Sequence, residues 1–176
     1  MGCSDITVWD GDFLEEVNIP NQLCMLSMIG KSKVEALAQL VYQLSQIKIK
    51  QINKRYIGQN LEGAVLITAD NMTARQKVWK RAKLNPKIPL LIDARMAAEF
   101  ARIYSIHPTN IEEAEFYQQN LYRSEEVEHL PCSARSIIYC PMVVAGYIAL
   151  LVKKHATNQQ LPLETLVDLP NFLVQT

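Results

Sequence analysis

The sequence has few of the residues that build disulfide scaffolds or membrane spans. Its four cysteines are scattered and form no C-x-x-C pair, so neither a disulfide framework nor a four-cysteine zinc site is expected. The apolar stretch at residues 136–152 is interrupted by Pro141 and Gly146 and is shorter than the roughly 20 residues that cross a bilayer. No secretory signal is recognisable at the N-terminus. We therefore expect a cytoplasmic protein that is not embedded in a membrane.

Excess charge and glycine-rich loops are also missing. The 18 basic residues balance 18 acidic ones, so nothing favours nucleic acid or an anionic membrane as a partner. The basic run within residues 48–55 lacks the interleaved aromatic residues of a single-strand platform and is interpreted as a solvated strand face. The sequence contains no G-x-G-x-x-G, the motif with which many nucleotide-binding folds cradle phosphates.

What is present is an alternation of strand and helix patterns, which predicts one α/β domain in 176 residues. Strands are predicted at residues 6–9, 47–57 (an irregular edge), 64–68, 89–92, 100–106 and 163–169, and helices at residues 32–45, 71–84 and 136–152. Residues 107–131 are polar and acidic and are predicted to form a long loop, and residues 171–176 a tail. Arg75 is expected on an outer helix surface, and an ion pair between Arg95 and Glu99 is one interpretation of that segment.

Polar residues follow two of the predicted strands. Asp10 ends the first strand, where a carboxylate accepts hydrogen bonds from ribose hydroxyls. Asn18 and Lys33 lie downstream as donors for phosphate oxygens, and Lys33 falls in the first turn of its helix, beside N–H groups that favour anions. A solvated surface lysine remains the simpler interpretation on spacing alone. Asp70 follows the 64–68 strand as a ligand-site carboxylate, as the cap of the next helix, or as both.

The ordered set of motifs is more specific than any single one. D-x-D-x5-N-x2-N-Q begins at Asp10, G-x-x-K begins at Gly30, and Ala-Asp-Asn follows at residues 69–71. Residues 92–99 and 131–135, read IDARMAAE and PCSAR, complete the set. In this order the motifs resemble the adenylation domain of the ThiF/MoeB/HesA superfamily, the ubiquitin-activating-enzyme-like proteins.

The resemblance implies a Rossmann-like three-layer sandwich with a mixed sheet, N-terminally truncated, with residues 1–176 as a partial adenylation domain and 107–131 as its crossover loop. It implies an ATP-dependent adenylyltransferase that uses Mg²⁺ to activate the C-terminal carboxylate of a ubiquitin-like or sulfur-carrier protein. By the same resemblance, Asp70 supports magnesium, Asp70 and Lys33 are catalytic residues, and Cys132 either takes the acyl group as a thioester or is a small residue at a helix start. The ATP-binding residues that it implies are Asp10, Asn18, Asn21, Gln22 and Lys33.

Two departures from the family bear on activity. Asn21 stands where the family commonly has Arg, which removes a positive charge from the expected triphosphate site. The family's central first strand has no counterpart, so the strands at 6–9 and 64–68 are expected to pair with each other, to receive a strand from another chain, or to keep open edges. The isolated chain is then expected to be marginally stable. The alternative function is a catalytically inactive relative that acts as a binding or structural partner in a homodimer or heteromer.

Overall fold

The computed structural model describes residues 3–121 and 138–176. The chain divides into two compact units, Met1–Tyr56 and Ile57–Thr176, and each unit has a sheet of its own. Parallel and antiparallel strands both occur, with helices between them. The predicted mixed α/β fold is therefore confirmed.

The first unit is a parallel strand pair joined by a crossover helix. Strand β1 (Thr7–Trp9) pairs in parallel with β2 (Lys50–Ile52), and helix α1 (Lys33–Ser45) connects them. As the sequence predicts, Ser32 caps α1, because its hydroxyl accepts the Glu35 N–H at 3.3 Å. Two 3₁₀ turns, Glu16–Asn18 and Leu26–Met28, fold the intervening loop. The small core contains Leu14, Met28 and Ala36.

The second unit is built on a five-stranded mixed sheet with the order β3-β4-β5-β6-β7. Strands β3 and β4 are parallel, and every later pair is antiparallel. The strands are β3 (Val65–Ile67), β4 (Leu91–Ala97), β5 (Phe100–Ile106), β6 (Glu164–Asp168) and β7 (Leu173–Gln175). The helices are α2 (Met72–Ala82), α3 (Ile111–Gln119) and α4 (Tyr139–Ala156).

Helices cover both faces of this sheet, which makes the second unit three layers thick. Trp79 of α2 and Tyr117 of α3 pack on one face, together with Leu91 and Tyr104. Residues of α4 pack on the other face, with side chains that alternate along the same strands. That second cluster contains Leu90, Ile92, Ala94, Ala101, Ile103, Val144, Leu151 and Val167.

Two sequence-based predictions of secondary structure are wrong. The predicted loop at 107–131 contains helix α3, which Asn110 caps by accepting the N–H groups of Glu112 and Glu113 at 3.1 and 3.3 Å. The buried Ala114 and Tyr117 lie three residues apart on α3, a helical spacing that the acidic composition concealed. The predicted tail contains β7. Residues 122–131 lie outside the described part of the chain.

The outermost strands of the two sheets bear on the expectation about a missing partner strand. Within the residues described, β1 has a strand neighbour on one side only, and so has β3. The two strands belong to separate hydrogen-bonded sheets. The alternative in which they pair with each other is therefore wrong.

A buried ion cluster joins the sheet of the second unit to α2 and α3. The fully buried Asp93 accepts hydrogen bonds from Arg75 Nε at 2.9 Å, Arg95 Nε at 2.8 Å and the Tyr117 hydroxyl at 2.9 Å. Arg75 is thus buried, and the prediction that it lies on the outer surface of α2 is wrong. The predicted pair of Arg95 with Glu99 is wrong as well, because Arg95 pairs with Asp93 while Glu99 accepts a hydrogen bond from Tyr139.

The buried environment and the charges of this cluster together raise the pKa values of Arg95 and Tyr117. Burial alone would lower the pKa of Arg95, but the neighbouring Asp93 carboxylate outweighs that effect and raises it. Burial, and then the charge of Asp93, raises the pKa of Tyr117 far above its usual range. The Tyr117 hydroxyl therefore stays protonated at neutral pH and donates its hydrogen bond to Asp93.

Loss of one partner from this cluster is expected to be costly. We expect Arg75→Met to destabilise the second unit by about 3 kcal/mol, because it removes one partner of a buried ion pair and leaves Oδ1 of Asp93 without the hydrogen bond that Arg75 donates. Lys80→Met, on the exposed side of the same helix, is the matched control and is expected to have little effect. Urea unfolding of fluorotryptophan-labelled protein, in which Trp79 reports on this unit, measures both. Equal midpoints for the two variants would show that the Arg75 pair contributes nothing.

Candidate functional site

The predicted nucleotide-binding residues lie where the chain passes from β1 to α1. In a parallel strand–helix–strand unit, the carboxyl end of the first strand faces the N-terminus of the crossover helix. Asp10 immediately follows β1, and its carboxylate accepts the Asp12 N–H at 2.8 Å, which turns the chain. The Asp12 carbonyl then accepts the N–H of Lys33, the first residue of α1, at 2.9 Å. These bonds place an acidic strand end beside a basic helix start.

An open cleft of about 430 Å³ lies at this junction. It brings together Asn18 and Lys33, two of the predicted site residues, and Asp10 adjoins it through Gly11. Its lining residues are Gly11, Asp12, Phe13, Glu15, Asn18 and Lys33. The cleft therefore combines an ammonium group, an amide and the N-terminus of a helix, all of which suit an anionic ligand.

Lys33 is held in this cleft by a carboxylate. Its ammonium nitrogen lies 3.5 Å from an oxygen of Asp12, and its side chain is 23% exposed. The simpler interpretation, a freely solvated surface lysine, does not describe this environment. Lys33 is instead a partly covered cation at the wall of a polar cleft.

Sequence reasoning missed two charged residues at this cleft, Asp12 and Arg55. A guanidinium nitrogen of Arg55 lies 3.3 Å from the second oxygen of Asp12. Asp12 was visible as the second acid of the D-x-D motif, but its bridging role was not. Arg55 lies 43 positions further along the chain, in the basic run interpreted as a solvated strand face. Only the pairing of β1 with β2 brings it near.

The remaining predicted ligands of the first unit divide into two groups. Asn18 lines the cleft, and its side-chain oxygen accepts the Glu15 N–H at 2.9 Å. Its carbonyl accepts the N–H groups of both Asn21 and Gln22 at 2.9 Å. Asn21 and Gln22 are not among the residues that line the cleft. Asn18 thus organises this turn, and the other two residues support it through their backbone.

Asp70 belongs to the second unit and follows β3. It is exposed, and its carboxylate accepts a hydrogen bond from the Asn71 side chain at 2.8 Å. The interpretation of Asp70 as a helix cap is wrong, because the Asn71 side chain caps α2 by accepting the Ala74 N–H at 2.8 Å. The Asp70 carboxylate is thus available for another role. Cys132, the predicted thioester residue, lies outside the described residues.

The placement of the His, Cys, Asp and Glu side chains determines which kinds of metal site the described residues could form. In residues 3–121 and 138–176, no group of three or more His, Cys, Asp or Glu side chains is placed to hold a metal ion. Mg²⁺ often uses only one or two protein carboxylates together with substrate phosphates. A single exposed carboxylate such as Asp70 therefore fits a shared magnesium site better than a site made of protein ligands alone. Over the same residues, no helix has the length and apolar character to span a membrane.

Solved structures of two proteins share this fold. PaaA superimposes with a TM-score of 0.66 at 15% identity, over 95% of this chain and 62% of PaaA. E. coli MccB with AMPCPP and MccA gives 0.71 at 15% identity, over 97% of this chain and 55% of MccB. E. coli MccB with ATP gives 0.60 at 13% identity, over 98% and 55%.

These likenesses establish the fold and no more. The chain spans about 55–62% of the length of the structures that it matches. No protein-family model and no curated protein matches the sequence. The chain has the Rossmann-like α/β fold of PaaA and MccB.

The turn after β1 is expected to tolerate only glycine at position 11. An added Cβ would lie 2.9 Å from the backbone nitrogen of Arg55, so the two segments would have to move apart. We expect Gly11→Ala to destabilise the first unit by about 1–3 kcal/mol, measured at the fluorotryptophan resonance of Trp9. Gly146→Ala, where a Cβ meets nothing within 4 Å, is the control and is expected to be neutral or stabilising. Unchanged stability of Gly11→Ala would contradict this packing.

Proposed function

We propose that the protein is an ATP-dependent adenylyltransferase of the ThiF type. It activates the C-terminal carboxylate of a ubiquitin-like or sulfur-carrier protein. The observation that carries the proposal is the cleft between β1 and α1, where Asn18 and Lys33 meet beside Asp10. The MccB structures with ATP and with AMPCPP lend support, because MccB has the same fold.

The cleft residues fit the parts of a nucleotide. The carboxylate of Asp10 would accept hydrogen bonds from ribose hydroxyls, as acids at the ends of parallel strands do. Lys33 and the first turn of α1 would face the phosphates with positive charge and N–H donors. Asn18 would add a neutral donor. Asn21 and Gln22 would complete the turn behind Asn18, since their N–H groups bind its carbonyl.

By the family resemblance, Asp70 would hold Mg²⁺, because an exposed carboxylate after a parallel strand is a typical ligand for that ion. Magnesium would neutralise charge on the phosphates. A carboxylate oxygen of the carrier would then attack the α-phosphorus, and the bond to the bridging oxygen would break. The products are the acyl-adenylate and pyrophosphate. The chain contributes mainly positioning and electrostatic stabilisation.

Cys132 is the proposed acceptor for a subsequent step. Its thiolate would attack the acyl carbonyl, form a thioester and release AMP, so that the carrier becomes covalently attached. This role rests on the resemblance of residues 131–135 to the family motif.

The second candidate is a catalytically inactive relative that binds a partner. The open edges of β1 and β3 favour it, because each strand has a neighbour on one side only within the residues described. Such edges present unpaired N–H and C=O groups that accept a strand from another chain. Nucleotide binding separates the two candidates.

Thermal unfolding with and without Mg·ATP is the first test. We expect the melting temperature to rise with millimolar Mg·ATP and not with NAD, because a ligand at about 100 times its Kd adds roughly 2.7 kcal/mol. Lys33→Ala should melt nearly like the wild type without ligand, since an ion pair to the half-exposed Asp12 contributes about 0–1 kcal/mol, and should lose most of the ATP response. Lys80→Ala serves as the control. A cooperative melt that ignores Mg·ATP would favour the inactive relative.

Asp70 is tested through the magnesium dependence of binding. In the wild type, ATP should bind more tightly with Mg²⁺ than with EDTA, because the proposed enzyme uses Mg·ATP and Asp70 is its proposed magnesium ligand. Asp70→Asn is expected to lose most of this difference and to keep the affinity measured in EDTA. Calorimetry with each variant measures both quantities. A full magnesium effect in Asp70→Asn would exclude this carboxylate as a ligand.

A further inference from the structure

We propose that Arg55 is a phosphate-binding residue and acts with Lys33, while Asp12 holds both cations in position before the nucleotide arrives. The inference rests on the proposed function and concerns the same cleft. It assigns a role to a residue that the motif pattern does not include.

The geometry of Asp12 places two cations at one point. One carboxylate oxygen lies 3.5 Å from the Lys33 ammonium, and the other lies 3.3 Å from the Arg55 guanidinium. The Lys33 and Arg55 side chains are therefore separated by a single carboxylate group, that of Asp12. This close placement of like charges is unfavourable unless an anion lies between them. Asp12 supplies that anion in the ligand-free protein, and a phosphate group would supply more negative charge.

The charges at the cleft favour a second cation if the ligand is a polyphosphate. Asp12 and Glu15 line the cleft and Asp10 adjoins it, whereas Lys33 is the one cation among the lining residues. A single ammonium group would leave a polyphosphate facing an excess of carboxylates. Asn21 offers an amide but no charge. Arg55 can supply this second cation. Its guanidinium group pairs with Asp12, which lines the cleft, although Arg55 itself is not a lining residue.

Three contacts hold the segment around Arg55 beside the end of β1. The Asp10 N–H donates to the Ile52 carbonyl at 3.3 Å, which continues the pairing of β1 with β2. Gly11 lies so close to Arg55 that a Cβ would meet its backbone nitrogen. The Trp9 and Tyr56 rings meet edge to face, with centroids 6.2 Å apart. Arg55 therefore starts from a defined position beside the cleft, and only its side chain needs to move.

The side chain is free to exchange its partner. Arg55 is 82% exposed and Asp12 is 49% exposed, so solvent weakens their ion pair. A guanidinium group can bind a phosphate through two parallel hydrogen bonds, which are stronger than one bond to a half-exposed carboxylate. Transfer of Arg55 from Asp12 to a phosphate is therefore favourable, and it costs little folding stability.

The test is calorimetric binding of Mg·ATP, AMP and adenosine to the wild type, Arg55→Ala and Lys54→Ala. Lys54 is exposed, has the same charge and lies one position away, so its variant controls for the general loss of positive charge. We expect Arg55→Ala to weaken Mg·ATP binding by about tenfold or more, the scale of one strong ionic contact. AMP should weaken less, and adenosine should bind as to the wild type. Lys54→Ala should resemble the wild type with all three ligands.

Four results would overturn the proposal, each for a different reason. Unchanged ATP affinity in Arg55→Ala would exclude the contact, and an equal loss for adenosine would place Arg55 outside the phosphate region. An equal loss of Mg·ATP affinity in Lys54→Ala would show that the effect comes from the general loss of positive charge. No ATP binding by the wild type would overturn the adenylyltransferase itself. Arg55→Gln keeps a long polar side chain without charge, and its binding decides the matter if the Ala variant melts below the wild type.

Discussion

The parallel pairing of β1 with β2 is the constraint on which the candidate site depends. Because the strands run in the same direction, the chain must cross over through α1, and both strands end at the same edge. Asp10 therefore emerges beside the segment that carries Arg55, and Lys33 opens the helix in front of them. An antiparallel hairpin of the same residues would separate these groups. The strand topology therefore determines where these side chains meet.

Sequence reasoning succeeded where the relevant signals are local. Ser32 and Glu35 mark the start of α1, and Lys33 falls in the first turn of that helix as predicted. It failed for Arg55, because the partner of Arg55 lies 43 residues away and no spacing rule connects them. The pairing register of two three-residue strands determines that contact, and strands this short leave little periodicity from which a register can be read.

The buried Asp93 shows a second kind of failure. Apolar residues flank Asp93 in β4, and this pattern alone indicates a buried carboxylate, which must be paired. The sequence did not reveal which cations pair with it. Arg75 lies on a helix rich in basic residues, and nothing in the sequence distinguishes it from its exposed neighbours. It is buried in the structure, where it pairs with Asp93 of β4. The need for a partner was predictable, but its identity depends on how the helix is rotated on the sheet.

The two ionic clusters contrast in a way that bears on function. Asp93 and its arginines are buried and connect a sheet to two helices, so folding alone accounts for them. Around Asp12, by contrast, Arg55 is largely exposed, Asp12 is about half-exposed and Lys33 is partly covered, and ion pairs to a carboxylate this accessible contribute little to stability. Folding therefore gives no sufficient reason for two cations to converge on one surface carboxylate beside a helix start. The proposed ligand with several negative charges would give one, because each cation would gain a stronger partner than Asp12 when that ligand binds.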